Sequence, residues 1–271
     1  MHFQISSGQN PKIKSLLQLQ QKSAERRKSG LFVVEGLREL GHCLNGGYEV
    51  ESVFYCPAIL REPLPSFRQQ EKDVDCYEVT EDVYNKIAYR GGTEGIVGII
   101  RQRETSLASL QEKDAPLYVI LEGVEKPGNL GAVLRSADAA GVDAVIVCDP
   151  RTDLYNPNLI RSSIGAIFSV PCVACTSEEC IDFLKKHGVK ILTAQLQDSH
   201  LYYDTDMTCA TAIVMGTEAT GLTDVWRKAA DAHIRIPMLG RLDSLNVSVS
   251  AAILMYEAVR QRGRVRVESR E

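Results

Sequence analysis

"LYVILEGVEKPGNLGAVLRSADAAGVDAVIVC", residues 117–148, carries the choice of fold. Its first residues form an apolar, β-branched run rather than an alternation, which predicts a strand buried on both faces, as in a parallel sheet. A glycine-bearing turn follows, and then Leu130, Val133, Leu134 and Ala137 recur at the spacing of one helix face. Gly141 ends that helix and "VDAVIVC" is a second buried strand. The pattern repeats downstream. "NPNLIRSSIGAIF" reads as helix, "SVPCVAC" as strand, "SEECIDFLKKHG" as helix, "VKILTAQ" and "TAIVMG" as strands, "TDVWRKAA" as a short helix and "AHIRIPM" as a last strand. Strands alternating with helices predict an α/β fold with a mostly parallel sheet covered on both faces. Ligands of such sheets gather beyond the carboxyl ends of the strands, which singles out residues 122–131, 193–197, 216–222 and 237–246.

Upstream lies a smaller α/β unit. Ile13, Leu16 and Leu17 mark a basic amphipathic helix over 12–28. "LFVVEG", "EVESVFYC", "DVDCYEV" and "EGIVGII" read as strands, with helices at "LRELGHCLNGG" and "TEDVYNKIAY". The polar, weakly periodic "RQRETSLASLQEKDAP" is the linker. The predicted organisation is a first domain over 1–103, a linker at 104–116 and a second domain over 117–271.

At 271 residues, 44% hydrophobic and 24% charged, the chain has the composition of a folded globular protein and not of a disordered one. No run approaches the roughly 18 apolar residues of a membrane span, and "MHFQISSGQNPKIKS" lacks the apolar centre of a signal peptide. The expectation is a cytoplasmic protein without a membrane partner. The net charge of −4 hides an asymmetry: Lys12, Lys14, Lys22, Arg26, Arg27 and Lys28 face Glu25 alone within the first thirty residues, and five arginines crowd the last twelve. Basic ends suit phosphate contacts as well as they suit a solvated helix face.

Eight cysteines are scattered, and the one C-x-x-C, Cys172 and Cys175, has neither a second pair nor a nearby histidine. A zinc site takes about four ligands, so no metal is expected and the thiols read as reduced and mostly buried. Five dispersed histidines compose no triad, and no serine has a histidine base in view.

Three stretches bear chemistry. "GNLGAVLRSADAAG" offers Asn129 and Gly131 at a helix start, but its G-x-x-G falls short of a dinucleotide fingerprint. Arg135, on an otherwise apolar helix, must reach solvent or serve a site. "VMGTEATGL" ends a strand in Gly216 and presents Glu218. In "IPMLGRLDSLNVSVSAAILMYEA" an alternation competes with a helical stripe of Val247, Ala251, Leu254, Met255 and Ala258. The stripe runs over three turns and the alternation stops at Ala251, so the helix begins near Asn246 and residues 242–245 are loop. Ser248 and Ser250 read as ordinary early-helix residues.

In this order and spacing the three stretches resemble the signature motifs of the SpoU family of RNA ribose 2′-O-methyltransferases, within the SPOUT class. "DLYNPNLIRSSIGAIFSVP" resembles the family as well, and "NPKIKSLLQL" with "FVVEGLREL" resembles its N-terminal RNA-binding domain of ribosomal-protein-like fold. The resemblance implies a deep trefoil knot, S-adenosylmethionine held by strand-end loops around Thr193, Gly216, Ile236, Met238 and Leu245, and Arg135 as the central catalytic residue. Asn129, Glu218, Ser244 and Asn246 would complete the catalytic set. It implies a homodimer through the final helix and structured RNA as substrate, ribosomal RNA ahead of transfer RNA. Lys12, Lys14, Arg26 and Arg27 are the candidate phosphate contacts. The rival readings are weaker: a nucleotide-dependent oxidoreductase lacks the third glycine and a catalytic pair, and a non-catalytic RNA-binding protein needs no such polar set.

Overall fold

The computed structural model describes residues 2–67, 73–89, 94–217, 219–241 and 244–263. In chain order the elements begin β1 (His2–Ile5), α1 (Pro11–Gln21), α2 (Ser23–Ser29), β2 (Leu31–Glu35), α3 (Leu37–Asn45), β3 (Val50–Tyr55), β4 (Asp75–Val79), α4 (Glu81–Ile87) and β5 (Ile96–Arg101). They continue with β6 (Leu117–Glu122), α5 (Pro127–Ala140), β7 (Ala144–Cys148), α6 (Pro157–Ser162), β8 (Cys172–Cys175), α7 (Ser177–Lys186), β9 (Lys190–Ala194) and β10 (His200–Leu201). The last are β11 (Thr211–Met215), α8 (Asp224–Ala229), β12 (Ala232–Arg235) and α9 (Val247–Gln261). By contact the chain divides into two units, Met1–Glu104 with Asp153–Ser169, and Thr105–Thr152 with Val170–Glu271.

In the first unit the sheet runs β1-β4-β3-β5-β2, with β5 antiparallel to both neighbours and the other pairs parallel. Ile13, Leu16 and Leu19 of α1 and Val83, Tyr84 and Ile87 of α4 bury against one face of it, beside Val33, Phe54 and Val97. Phe32 sits in an aromatic group with Tyr48, Tyr155 and Phe168, its ring 4.4 Å from that of Tyr155. Tyr155 and Phe168 belong to 153–169, a segment the sequence placed in the second domain; its apolar residues pack with the first unit instead.

The single basic helix expected over 12–28 is two helices. Asn10 caps α1 by accepting from the Lys12 amide, and Lys22 is extended (φ −119°, ψ 113°) between α1 and α2. The apolar stripe stops at Leu19, so nothing in 23–29 continues it, and the residue that α2 turns inward is Arg26. Arg26 is buried, its Nε is 2.6 Å from Asp153 Oδ2, and its Nη1 donates to the carbonyls of Leu19 and Gln20. The expected phosphate contact at Arg26 is therefore a buried structural ion pair. Lys12, Lys14 and Arg27 are exposed. The helix expected over 156–168 also breaks, where Ile164 and Gly165 take positive φ (55° and 82°), leaving α6 and a 3-10 turn at Ala166–Phe168.

In the second unit seven strands run β10-β12-β9-β11-β6-β7-β8, every pair parallel. Tyr118, Ile120, Ile146 and Val214 turn to one face and meet Ile181 and Leu184 of α7 and Trp226 of α8. On the other side α5 packs on α9, and α9 touches β6 and β11. β1 and β10 went unread because strands of four and two residues leave too little periodicity. Among the described residues no helix is long and apolar enough to cross a membrane.

Candidate active site

The parallel sheet directs β9, β11 and β12 to one edge, where the loops after them enclose a cavity of about 510 Å³. Gly216, Ile236, Met238, Ser244, Leu245 and Asn246 all line it. These expected residues come from two connections, the loop after β11 and the segment between β12 and α9. Thr193 does not line it: its side chain is fully buried on β9, with Oγ1 2.5 Å from Nδ1 of His233, and the cavity wall starts at the next residue, Ala194. Ser250, read as an ordinary helix residue, does line it.

Gly216 is fixed by close approach. A Cβ built there would lie 2.2 Å from the carbonyl carbon of Gly221. That closeness comes from a tight loop in which the amides and carbonyls of Thr217 and Gly221 pair (3.2 and 3.0 Å) and the Thr217 and Thr220 hydroxyls are 2.8 Å apart. Glu218, expected as a site residue, lies outside the described residues. At the foot of the same loop the buried Glu122 carboxylate accepts from both the amide (2.9 Å) and the hydroxyl (2.6 Å) of Thr223, which fastens the end of β6 to the start of α8.

Across the cavity Gln195 follows β9. Its amide donates to the Ile234 carbonyl and its Nε2 to that of Gln197, while its Oε1 is buried without a partner among the described residues. An unpaired buried acceptor costs about 1–3 kcal/mol. On a cavity wall, that cost is removed by a ligand donor. Arg235 donates to the Ser199 carbonyl and so holds the loop after Gln195, and Arg227 projects from α8 at the rim. Gln195, Arg227 and Arg235 were not singled out from the sequence. Gln195 lay within a flagged strand end, but nothing in "TAQLQ" distinguishes its side chain.

The remaining expected residues are on α5 and the start of α9. Asn246 caps α9: its Oδ1 accepts from the Ser248 amide (2.9 Å) and hydroxyl (2.6 Å), and its Nδ2 donates to Oδ1 of Asn129 (3.2 Å). This joins the first stretch to the third. Arg135 is exposed, does not line the cavity, and among the described residues has no hydrogen-bond or ion-pair partner. The physical choice posed by its sequence position is resolved toward solvent within a single copy of the chain.

Residues 116–256 match the SpoU rRNA Methylase family. The chain belongs to this family. Ahead of the SpoU domain, residues 10–98 match the MRM3-like substrate binding domain. The chain is similar to the 23S rRNA (guanosine(2553)-2′-O)-methyltransferase RlmP of Bacillus subtilis, 31% identical over 93% of this chain and 98% of that one. Among solved structures it resembles the AdoMet-bound rRNA methyltransferase from Sinorhizobium meliloti, with TM-score 0.87, 29% identity and coverage of 96% and 98%. It also resembles the SpoU methyltransferase AviRb from Streptomyces viridochromogenes in complex with AdoMet, with TM-score 0.84, 27% identity and coverage of 95% and 100%. SpoU domain residues from the loops after β9, β11 and β12 therefore share one cavity at the strand ends.

Proposed function

We propose that the chain methylates a ribose 2′-hydroxyl of structured RNA from S-adenosylmethionine, with ribosomal RNA as the substrate class. The observation that carries this is the cavity itself: loops after β9, β11 and β12 and the start of α9 converge on it, and Asn246 bonds to Asn129. The residues fit the cofactor. Gly216 contributes backbone to the wall, Leu196, Ile236, Met238 and Leu245 give apolar surface, and the Oε1 of Gln195 can accept a donor. When bound, S-adenosylmethionine supplies an electrophilic methyl group on a sulfonium.

The chain must then align a ribose oxygen and assist loss of its proton. A guanidinium keeps its proton up to about pH 12, and its planar fork matches a phosphate. Arg135 accordingly binds a phosphate next to the target ribose and orients the hydroxyl, rather than acting as the base. Asn129 and Asn246, held to each other, position polar groups at the rim, and Ser244 and Glu218 belong to the same proposed set.

Further points belong to this reading. A homodimer through α9 is supported by Val249 and Tyr256, which are half-exposed seven residues apart on one face of that helix, and by Leu239, which is 98% exposed. The deep trefoil knot is supported by Arg262, just past α9, whose guanidinium donates to carbonyls of Ala115, Pro116, Met207 and Cys209. Exposed Lys12, Lys14 and Arg27 on the substrate-binding domain are the proposed phosphate contacts, and the cytoplasm is the proposed compartment. Ribosomal RNA is favoured over transfer RNA by the match to the MRM3-like substrate binding domain and by the names of the similar proteins. The test is transfer of labelled methyl from S-adenosylmethionine to ribosomal RNA and to transfer RNA, with mapping of the modified ribose. Label entering neither RNA overturns the proposal; label in transfer RNA alone reverses the substrate preference.

A further inference from the structure

Cys148 precedes Cys175 and Cys180 by more than two dozen residues, yet the three Sγ atoms lie within 4.8 Å of one another. The parallel register brings this about. Cys148 and Cys175 end neighbouring strands, β7 and β8, and face each other in the ladder. α7 starts immediately afterwards with a capping box, Thr176 accepting from the Glu179 amide and Glu179 from the Thr176 amide, which sets the phase of its first turn. In that phase Cys180 points back at the strand ends and is fully buried, as Cys148 is; Cys175 is partly exposed and provides the way in.

We propose that Cys148, Cys175 and Cys180 form a three-sulfur site for a thiophilic d10 metal ion, copper(I) on the three sulfurs alone or zinc(II) with a solvent molecule as fourth ligand, separate from the strand-end cavity. Metal–thiolate bonds are about 2.3 Å long. Three of them in a plane set the sulfurs about 4 Å apart, so the cluster needs to contract by less than about 1 Å. The protein's donor set is sulfur alone, because the neighbouring carboxylates are already engaged. Glu179 is spent on the cap, and Asp149 Oδ2 accepts from the amide and hydroxyl of Ser177 (3.2 and 2.6 Å). Soft ligands without oxygen select zinc(II) or copper(I) and reject magnesium and calcium.

The frame around the cluster is held in advance. Asp149, directly after Cys148, takes a left-handed conformation (φ 49°) and its amide donates to the Cys175 carbonyl. Ser177 in turn accepts from Trp226 Nε1 at 2.9 Å. Such a strained, fully bonded residue between two ligands is the kind of support that preorganises a site. The positive end of α7, a ten-residue helix, favours thiolates at its first turns. β6 and β7 carry the cluster past the strands that frame the cavity, so the ion would tie β7, β8 and α7 together without entering methyl transfer.

The test uses the full-length, reduced protein equilibrated separately with zinc(II), copper(I) and, as control, magnesium(II). Metal retained after desalting is counted, and alkylation of Cys175 and of the exposed Cys209 is followed by peptide mass spectrometry. The expected result is one retained equivalent of zinc or copper(I), with Cys175 protected and Cys209 not. C148S and C180S should each lose that equivalent, whereas C209S keeps it. The proposal is overturned if neither ion protects Cys175, a readout on the unsubstituted chain that stands whether or not the variants fold. Retention that survives in folded C148S and C180S, or disappears in C209S, overturns it equally.

Discussion

Nδ2 of Asn246 donates to Oδ1 of Asn129 across 3.2 Å, so the residue that caps α9 is also the residue that reaches α5. The orientation of the amide is set by the cap: Oδ1 takes the Ser248 amide and hydroxyl, which leaves Nδ2 for Asn129. The two roles can be separated. Asn246→Asp keeps the capping oxygen and loses the donor, and methyl transfer should fall roughly tenfold or more while the melting temperature holds. Asn246→Ala should lose both, with a further cost near 1 kcal/mol in stability. Equal melting temperatures for the two variants in calorimetry would remove the capping role.

Arg135 is exposed on α5, so its replacement should leave stability unchanged. Arg135→Lys should be nearly as inactive as Arg135→Ala in single-turnover methylation, because an ammonium cannot reproduce the two-pronged contact with a phosphate. Near-normal turnover in the lysine variant would refute the geometric role.

Gly216→Ala places a methyl group 2.2 Å from the Gly221 carbonyl carbon. The obstacle is backbone, so the loop must shift. S-adenosylmethionine binding measured by calorimetry should be lost, with circular dichroism of the folded chain retained. Unchanged affinity would show that this loop is not part of the cofactor wall.

Four basic residues that the sequence grouped together should behave as two classes. Reversing the charge of Lys12, Lys14 and Arg27 should weaken RNA binding at unchanged stability, each lost phosphate contact lowering the logarithmic salt slope by about 0.7 to 0.9. Arg26→Ala strips the partner from Asp153 and should cost about 3 kcal/mol in denaturant unfolding, because a half-broken buried pair leaves an uncompensated charge. An Arg26→Ala protein of unaltered stability contradicts the assignment.

Val249→Glu combined with Tyr256→Lys puts charge on the half-exposed face of α9. Sedimentation should then report monomers where the unaltered chain gives dimers. A variant that still sediments as a dimer would move the interface elsewhere.

The sequence by itself determined the order of strands and helices in the second unit apart from the two-residue β10, since buried parallel strands write uninterrupted apolar runs and helices between them write a 3.6-residue period. It also placed Gly216, Ile236, Met238, Ser244, Leu245 and Asn246 on the cavity wall, through the resemblance of its motifs to the SpoU family. Tertiary structure alone decided the rest, for one physical reason: a one-dimensional pattern records how often a residue type recurs, not what it meets. Arg26 reads as a surface cation until Asp153, 127 positions away, arrives beside it. Thr193 reads as a loop-facing residue until β12 brings His233 to its hydroxyl. The cysteines read as scattered because it is the register of β7 against β8 that pairs Cys148 with Cys175, and the C-x-x-C that stands out in sequence, Cys172 with Cys175, is not the group that meets.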